Sequence, residues 1–225
     1  MKTVMVVIVH PDDLAFGMGG TAWLPKARYN LHVVCLMTHG VRGGVREEEQ
    51  KAESAMLNAR CTFLNLNADT VYAGREICEE LAEIMRTVNP VAVFGNWPID
   101  YHPEHAACSE IARRAFYLSR VRAEFYMFEA GMGDQTTQFE PDIFVDITSV
   151  MDNKLALIRC HKSQDGNERL SKRALEQAAF RGMQSHCRFM FHTTEGYVKY
   201  AEGFKTLRPI VHNSSCILFN PEKET

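Results

Sequence analysis

The stretch VMVVIVHPDD, residues 4–13, constrains this chain more than any other. Residues 4–9 are apolar with no polar alternation, which is how a strand buried on both faces reads. Pro11 cannot donate to a sheet ladder and biases His10 toward extended geometry, so the strand is predicted to stop there. One imidazole and two carboxylates follow within four residues, as His10, Asp12 and Asp13. In open α/β sheets ligands bind outside the carboxyl ends of the strands, so chemistry is expected at this point.

The rest of the chain supplies the sheet that such a strand needs. Strands are predicted at residues 31–37, 61–66, 91–94 and 124–128, with helices at 19–29, 46–59, 76–88 and 103–119 between them. In the second helix Ala52, Ala55, Met56 and Ala59 form the expected apolar stripe. This alternation implies right-handed β-α-β units and an α/β fold, a three-layer sandwich around a mostly parallel central sheet. Beyond Gly131 the pattern loosens to a strand at 143–147 and helices at 149–160 and 172–184. Residues 186–225 show no clear periodicity. With no repeat, linker or break in composition, residues 1–225 read as one domain.

Composition narrows the class. A formal net charge of −3 argues against a partner bound by neutralising phosphates, so nucleic acid is not expected. The 7 cysteines are odd in number and never arranged C-x-x-C, which suggests neither a disulfide framework nor a cysteine zinc site. They read as small buried hydrophobes in a reducing, cytoplasmic setting. The apolar run at 4–9 is too short for a secretory signal, and no run approaches the length of a membrane span.

A second polar cluster, Asp100 to His105 (DYHPEH), follows the fourth strand. In a doubly wound sheet, strands one and four typically flank the point where strand order reverses. His102 and His105 lie three apart at a helix start, with Pro103 at the first helical position, so both are expected to look one way. Two histidines and a carboxylate with an open position make a zinc set of the catalytic kind, and an adjacent carboxylate can take a proton. The bland alternative is that Asp12 or Asp13 merely caps a helix. His32, His186, His192 and His212 are expected to be structural or on the surface. The glycines Gly17, Gly19 and Gly20 offer a rival reading, since residues 17–22 fit the dinucleotide fingerprint G-x-G-x-x-G/A. That fingerprint should follow its strand directly, and the acidic ribose partner expected about 20 residues on is missing, with Met37, Thr38 and His39 in its place. The glycines therefore read as a close-packed helix start.

Taken together, His10-Pro11-Asp12-Asp13 with the glycines at 17–20, Thr38-His39-Gly40, Arg46-Glu47-Glu48-Glu49 and His102-Pro103-Glu104-His105 closely resemble the LmbE-like (PIG-L) N-deacetylases. Lys154-Leu155-Ala156, His161-Lys162-Ser163-Gln164 and Ala201-Glu202-Gly203-Phe204 resemble the family's later landmarks. The resemblance implies a Rossmann-like fold holding Zn2+ or another divalent metal. It also implies hydrolysis of an N-acyl amide on a small N-acetylated amino sugar or glycoside, by a homo-oligomer. Carried over by position, His10, Asp13 and His105 are the metal ligands, Asp12 the general base, and His102 the general acid or oxyanion stabiliser. Two departures stand out: Glu104 replaces the Asp usual between the two histidines, and Ala15 stands where many members carry Glu. Glu104 is then a support for His102, and Arg42, Glu47 and Asp100 are candidate contacts to sugar hydroxyls. Two other functions fit the same residues: a metal- or nucleotide-binding module without turnover, and an iron(II) oxygenase using a two-histidine, one-carboxylate triad.

Overall fold

The computed structural model describes residues 1–39, 44–68, 70–131, 135–189 and 198–208. Among these, seven strands form one sheet: β1 (Thr3–Ile8), β2 (Asn30–His39), β3 (Arg60–Asn67), β4 (Ala92–Asn96), β5 (Glu124–Phe128), β6 (Ile143–Asp146) and β7 (Ala201–Arg208). The helices are α1 (Asp13–Trp23), α2 (Val45–Met56), α3 (Arg75–Val88), α4 (Pro103–Ser119), α5 (Met151–Ile158) and α6 (Arg169–Phe189). Sheet order is β3-β2-β1-β4-β5-β7-β6. The first five strands run parallel, and β7 pairs antiparallel with both β5 and β6.

The reason β1 shows no alternation is visible in its packing. Val4, Val6 and Ile8 enter a core with Leu14, Met18 and Leu157, while Met5, Val7 and Val9 enter a second core with Leu81, Met85 and Ile111. Each fully buried side chain of this size contributes about 1.5–3 kcal/mol, so polar residues are excluded from both faces. The three-layer α/β/α arrangement follows: α1, α5 and α6 contribute to one face, α3 and α4 to the other. Because β1 lies between β2 and β4, connections leave it in opposite directions and open a crevice at its carboxyl end. No helix among the described residues is long and apolar enough to cross a membrane.

Three local expectations give way to tertiary contacts. First, α1 begins at Asp13 and not near residue 19, because Asp12 adopts φ 115° and turns the chain straight from strand into helix. The helix then kinks at Met18, and the Glu202 carboxylate accepts from Gly20 N (3.0 Å) and Thr21 N (2.7 Å) beyond the kink. Those are the amides a pyrophosphate would need, and an anion already holds them. Lys154 Nζ, fully buried, donates to Glu202 Oε1 and to Phe16 O, both at 2.5 Å.

Second, only part of the predicted stripe of α2 meets the core: Met56 and Ala59 pack against it, partly buried. Ala52 and Ala55 are exposed, and the helix buries Gln50, Glu53 and Ser54 instead. Two contacts hold that polar face: Glu53 Oε2 meets His161 Nε2 at 2.8 Å, and Gln50 Oε1 lies 3.4 Å from Asp12 N, while Glu53 Oε1 has no hydrogen-bond partner among the described residues. Third, β7 lies in the stretch without periodicity. Ala201, Glu202, Gly203 and Phe204 are buried in succession, so no polar-apolar alternation marks it.

Candidate metal centre

Two loops at the sheet's switch point build the site. Asp13 at the start of α1 turns its Oδ2 back to accept from Val9 N (3.1 Å) and His10 N (3.0 Å). This ties down one carboxylate oxygen and leaves Oδ1 aimed across the crevice, 3.3 Å from His105 Nε2 and 3.8 Å from His10 Nδ1. His10 Nδ1 and His105 Nε2 are 3.2 Å apart. Ligands at the usual zinc distances stand about 3.3–3.5 Å from each other in a tetrahedron, so the triangle fits one small divalent ion with a fourth position free. A second group, His10, His102 and Glu104, also converges. There Glu104 Oε2 lies 2.6 Å from His10 Nε2, a hydrogen-bond distance too short for two ligands of one ion.

Both histidines of this triangle have a carboxylate behind them. Glu104 holds His10 Nε2, and Asp100 Oδ1 lies 3.1 Å from His105 Nδ1. Such partners fix the ring and its tautomer so that the other nitrogen faces a metal. Asp100 is fixed in turn, accepting from His102 N (2.8 Å) and Thr136 Oγ1 (2.8 Å). Electrostatics agree with a seat for positive charge. Burial opposes a charge on His10, but Asp13 and Glu104 overcome it and lift its pKa from 6.5 to about 9. Burial likewise opposes a charge on His105, and Asp13 with Asp100 raises it to about 10. Asp13 itself falls well below the usual carboxylate range: burial works against this, and the two imidazoles prevail.

Asp12 and His102 stand on the same cleft wall as these three groups. Arg46 Nη2 donates to Asp12 Oδ1 (3.1 Å) and to Pro11 O (2.7 Å), bracing the strained turn. Burial pushes Asp12 up to about 6, against the pull of Arg46. His102 packs edge-on to His10 and stacks on His105, with ring centroids 4.8 Å away in both cases. Burial, with the charges of His10 and His105, holds His102 below its ordinary pKa of 6.5. Its neutral form, which carries one ring N–H, therefore prevails at pH 7.

The remaining sequence candidates fall elsewhere. Asp100 has a side chain only 1% exposed, behind His105 and off the cleft wall. Glu104 reaches His10, whereas His102 Nδ1 is 3.9 Å from it. Glu47 pairs with Lys51 along α2 and does not line the cleft. Arg42 lies outside the described residues. The cleft also has walls that residue-by-residue reading did not single out: Phe16, Arg46, Gln135, Gln164, Arg169 and Leu170. Arg46 and Gln164 sit in quoted motifs, but Gln135 and Arg169 carry no local signal.

Residues 5–116 match the family described as PIG-L, GlcNAc-PI de-N-acetylase. Among curated proteins, a 4-oxalmesaconate hydratase of Pseudomonas putida is 28% identical over 93% of this chain and 91% of its own length. A diacetylchitobiose deacetylase of Thermococcus kodakarensis is 27% identical, covering 73% of this chain and 70% of that protein. Among solved structures, a 4-carboxy-2-hydroxymuconate hydratase of Pseudomonas putida superposes with a TM-score of 0.79 at 28% identity, over 96% of this chain and 100% of the other.

Proposed function

Since the chain belongs to the PIG-L (LmbE-like) family, we propose that it is a metal-dependent hydrolase. Its reaction is the removal of an N-acyl group from a small N-acetylated amino sugar or amino-sugar conjugate. The observation that carries this reading is the convergence of His10 Nδ1, Asp13 Oδ1 and His105 Nε2 beside a second, separately held carboxylate, Asp12. When bound, a divalent ion such as Zn2+ acidifies water and polarises an acyl carbonyl. Asp12 takes a proton from water as its oxygen adds to the acyl carbon. With a pKa near 6, Asp12 can hold that proton and return it to the leaving nitrogen as the C–N bond breaks. His102 directs its ring N–H at the oxyanion that forms.

Metal-replete protein is expected to release acetate and free amine from N-acetylglucosamine derivatives, to stop in a chelator, and to recover with Zn2+. The reading fails if no N-acetylated amino sugar yields amine while the protein retains its metal. Glu104→Ala is expected to weaken metal affinity about 10–100-fold, because His10 loses the partner that fixes its ring. Competition with a colorimetric chelator measures that directly, and an unchanged affinity would remove Glu104 from the metal centre.

A second reading is favoured by the extent of the match to the hydratases. The same ion, base and N–H donor suit addition of water to the carbon–carbon double bond of an unsaturated carboxylic acid. Loss of ultraviolet absorbance from conjugated acids, followed beside amine release, separates the two. A module without turnover binds and does neither, and an oxygenase consumes oxygen. The five described cysteines are free, which fits a cytoplasmic setting. A homo-oligomer is part of the same proposal, and sedimentation measures it.

A further inference from the structure

The cleft carries a charge that the hydrolytic step does not use. Asp12 is matched by Arg46, and Asp13 by backbone amides and imidazoles. Arg169 lines the same cleft, and no ion pair or hydrogen bond holds its guanidinium among the described residues. Two carboxamides, Gln164 and Gln135, line the same cleft. Gln164 donates through Nε2 to Ser163 Oγ at 3.0 Å, and the Gln135 carboxamide has no partner among the described residues.

The segment presenting Arg169 is built and pinned. Its base is fixed where His161 meets Glu53 at 2.8 Å. Ser163 donates from N and Oγ to Glu49 at 2.8 and 2.6 Å. Asp165 accepts from Ser171 N and Oγ at 3.0 and 2.6 Å. Between these anchors Asn167 and Glu168 both adopt φ 56°, and Arg169 follows at once as the first residue of α6. A non-glycine residue held in that region is strained, and two in succession are kept only where the surroundings impose them. The imposed turn places Arg169, an exposed residue, among those lining the cleft that holds the metal ligands.

We propose that Arg169, with Gln164 and Gln135, forms a carboxylate-binding subsite, so that the substrate carries a carboxylate apart from the bond that reacts. The inference rests on this cleft being where substrate binds. A planar guanidinium presents paired N–H donors that match a carboxylate, and the carboxamides add neutral donors beside it. One unmatched positive charge suits a singly charged carboxylate better than a phosphate dianion. The carboxylate end would lie at the helix start while the reacting end faces His10, Asp13 and His105.

Calorimetric titration of the metal-loaded protein with succinate, against succinamide as the neutral analogue, tests it. Succinate is expected to bind and succinamide to bind at least tenfold more weakly. Arg169→Gln is expected to weaken succinate at least tenfold, and Arg169→Lys to restore part of that loss. Chelated protein should retain an Arg169-dependent component. Equal succinate affinity in wild type and Arg169→Gln, or binding that disappears wholly with the metal, overturns the subsite. A chain that binds succinate through Arg169 yet releases no amine loses the hydrolase reading and keeps the subsite. Turnover with a carboxylate-bearing substrate whose KM is unchanged by Arg169→Gln does the reverse.

Discussion

Asp12→Asn is expected to lower the rate of N-acyl hydrolysis by about 10²–10⁴-fold, the usual contribution of a positioned proton acceptor, at unchanged metal content. Asparagine is the informative replacement because the backbone of residue 12 stands at φ 115°, and asparagine is among the residues that tolerate positive φ best. Its carbonyl oxygen can still accept from Arg46 Nη2, which reaches Asp12 Oδ1 at 3.1 Å. The contact that braces the turn is kept, then, while the group that takes a proton is lost. Asp12→Ala would release Arg46 as well and mix a positioning defect with a chemical one. The check is a kcat measured beside the metal-to-protein ratio and the melting temperature. Full activity in a metal-loaded Asp12→Asn protein would end the assignment of Asp12 as general base.

Lys154→Met is expected to destabilise the fold by about 3–5 kcal/mol, the cost of leaving one member of a buried ion pair alone. Lys154 and Glu202 side chains are 2% and 4% exposed, so water cannot replace the lost partner. Glu202 would keep its bonds to Gly20 N and Thr21 N, but its charge would be unmatched in the core, and Phe16 O would lose its donor. For a chain of this size the melting temperature should fall by roughly 6–20 °C. Adding Glu202→Gln should recover part of the loss, since a neutral amide oxygen can still accept one of the two backbone N–H groups. A Lys154→Met protein melting within 2 °C of wild type would show that the pair does not hold α1 in place.

These two predictions fall on opposite sides of what the residues announce. Asp12 belongs to a motif whose chemistry is written in order: an apolar run, a proline, then three polar groups at a strand end. The role of Lys154 is not written locally, because its partners lie 138 and 48 residues away at Phe16 and Glu202. The same distance problem explains α2. Met56 and Ala59 of its expected stripe reach the core, but Ala52 and Ala55 are exposed and the fully buried side is polar, because Gln50 and Glu53 face the loops carrying Asp12 and His161. Hydrophobic period decides which face is buried only when the neighbour is apolar. Here the neighbour is a polar loop, and hydrogen bonds replace area. The missed β7 has the related cause that its buried run contains Glu202 and Gly203, each held by a distant partner or close contact.

The glycines of α1 show how structure sharpens a choice that sequence had already weighed. The lack of a ribose acid spoke against a dinucleotide, but not why three glycines were needed. A Cβ at Gly17 would run into the Phe128 ring, and one at Gly20 would come within 2.7 Å of Ile147. Both glycines let α1 lie against its neighbours.

What the sequence determined by itself was local and periodic. It fixed a doubly buried first strand, the alternation that makes a parallel sheet, and two polar clusters placed where strands one and four end. Those follow from side-chain burial along single elements and from proline chemistry, neither of which needs distant residues. Only the tertiary structure decided the partners: Glu104 behind His10 and not His102, Asp100 behind His105, Arg46 on Asp12, and Arg169 at the cleft. The physical reason is that hydrogen bonds and ion pairs act over about 3 Å, between groups that chain order separates and folding alone brings together.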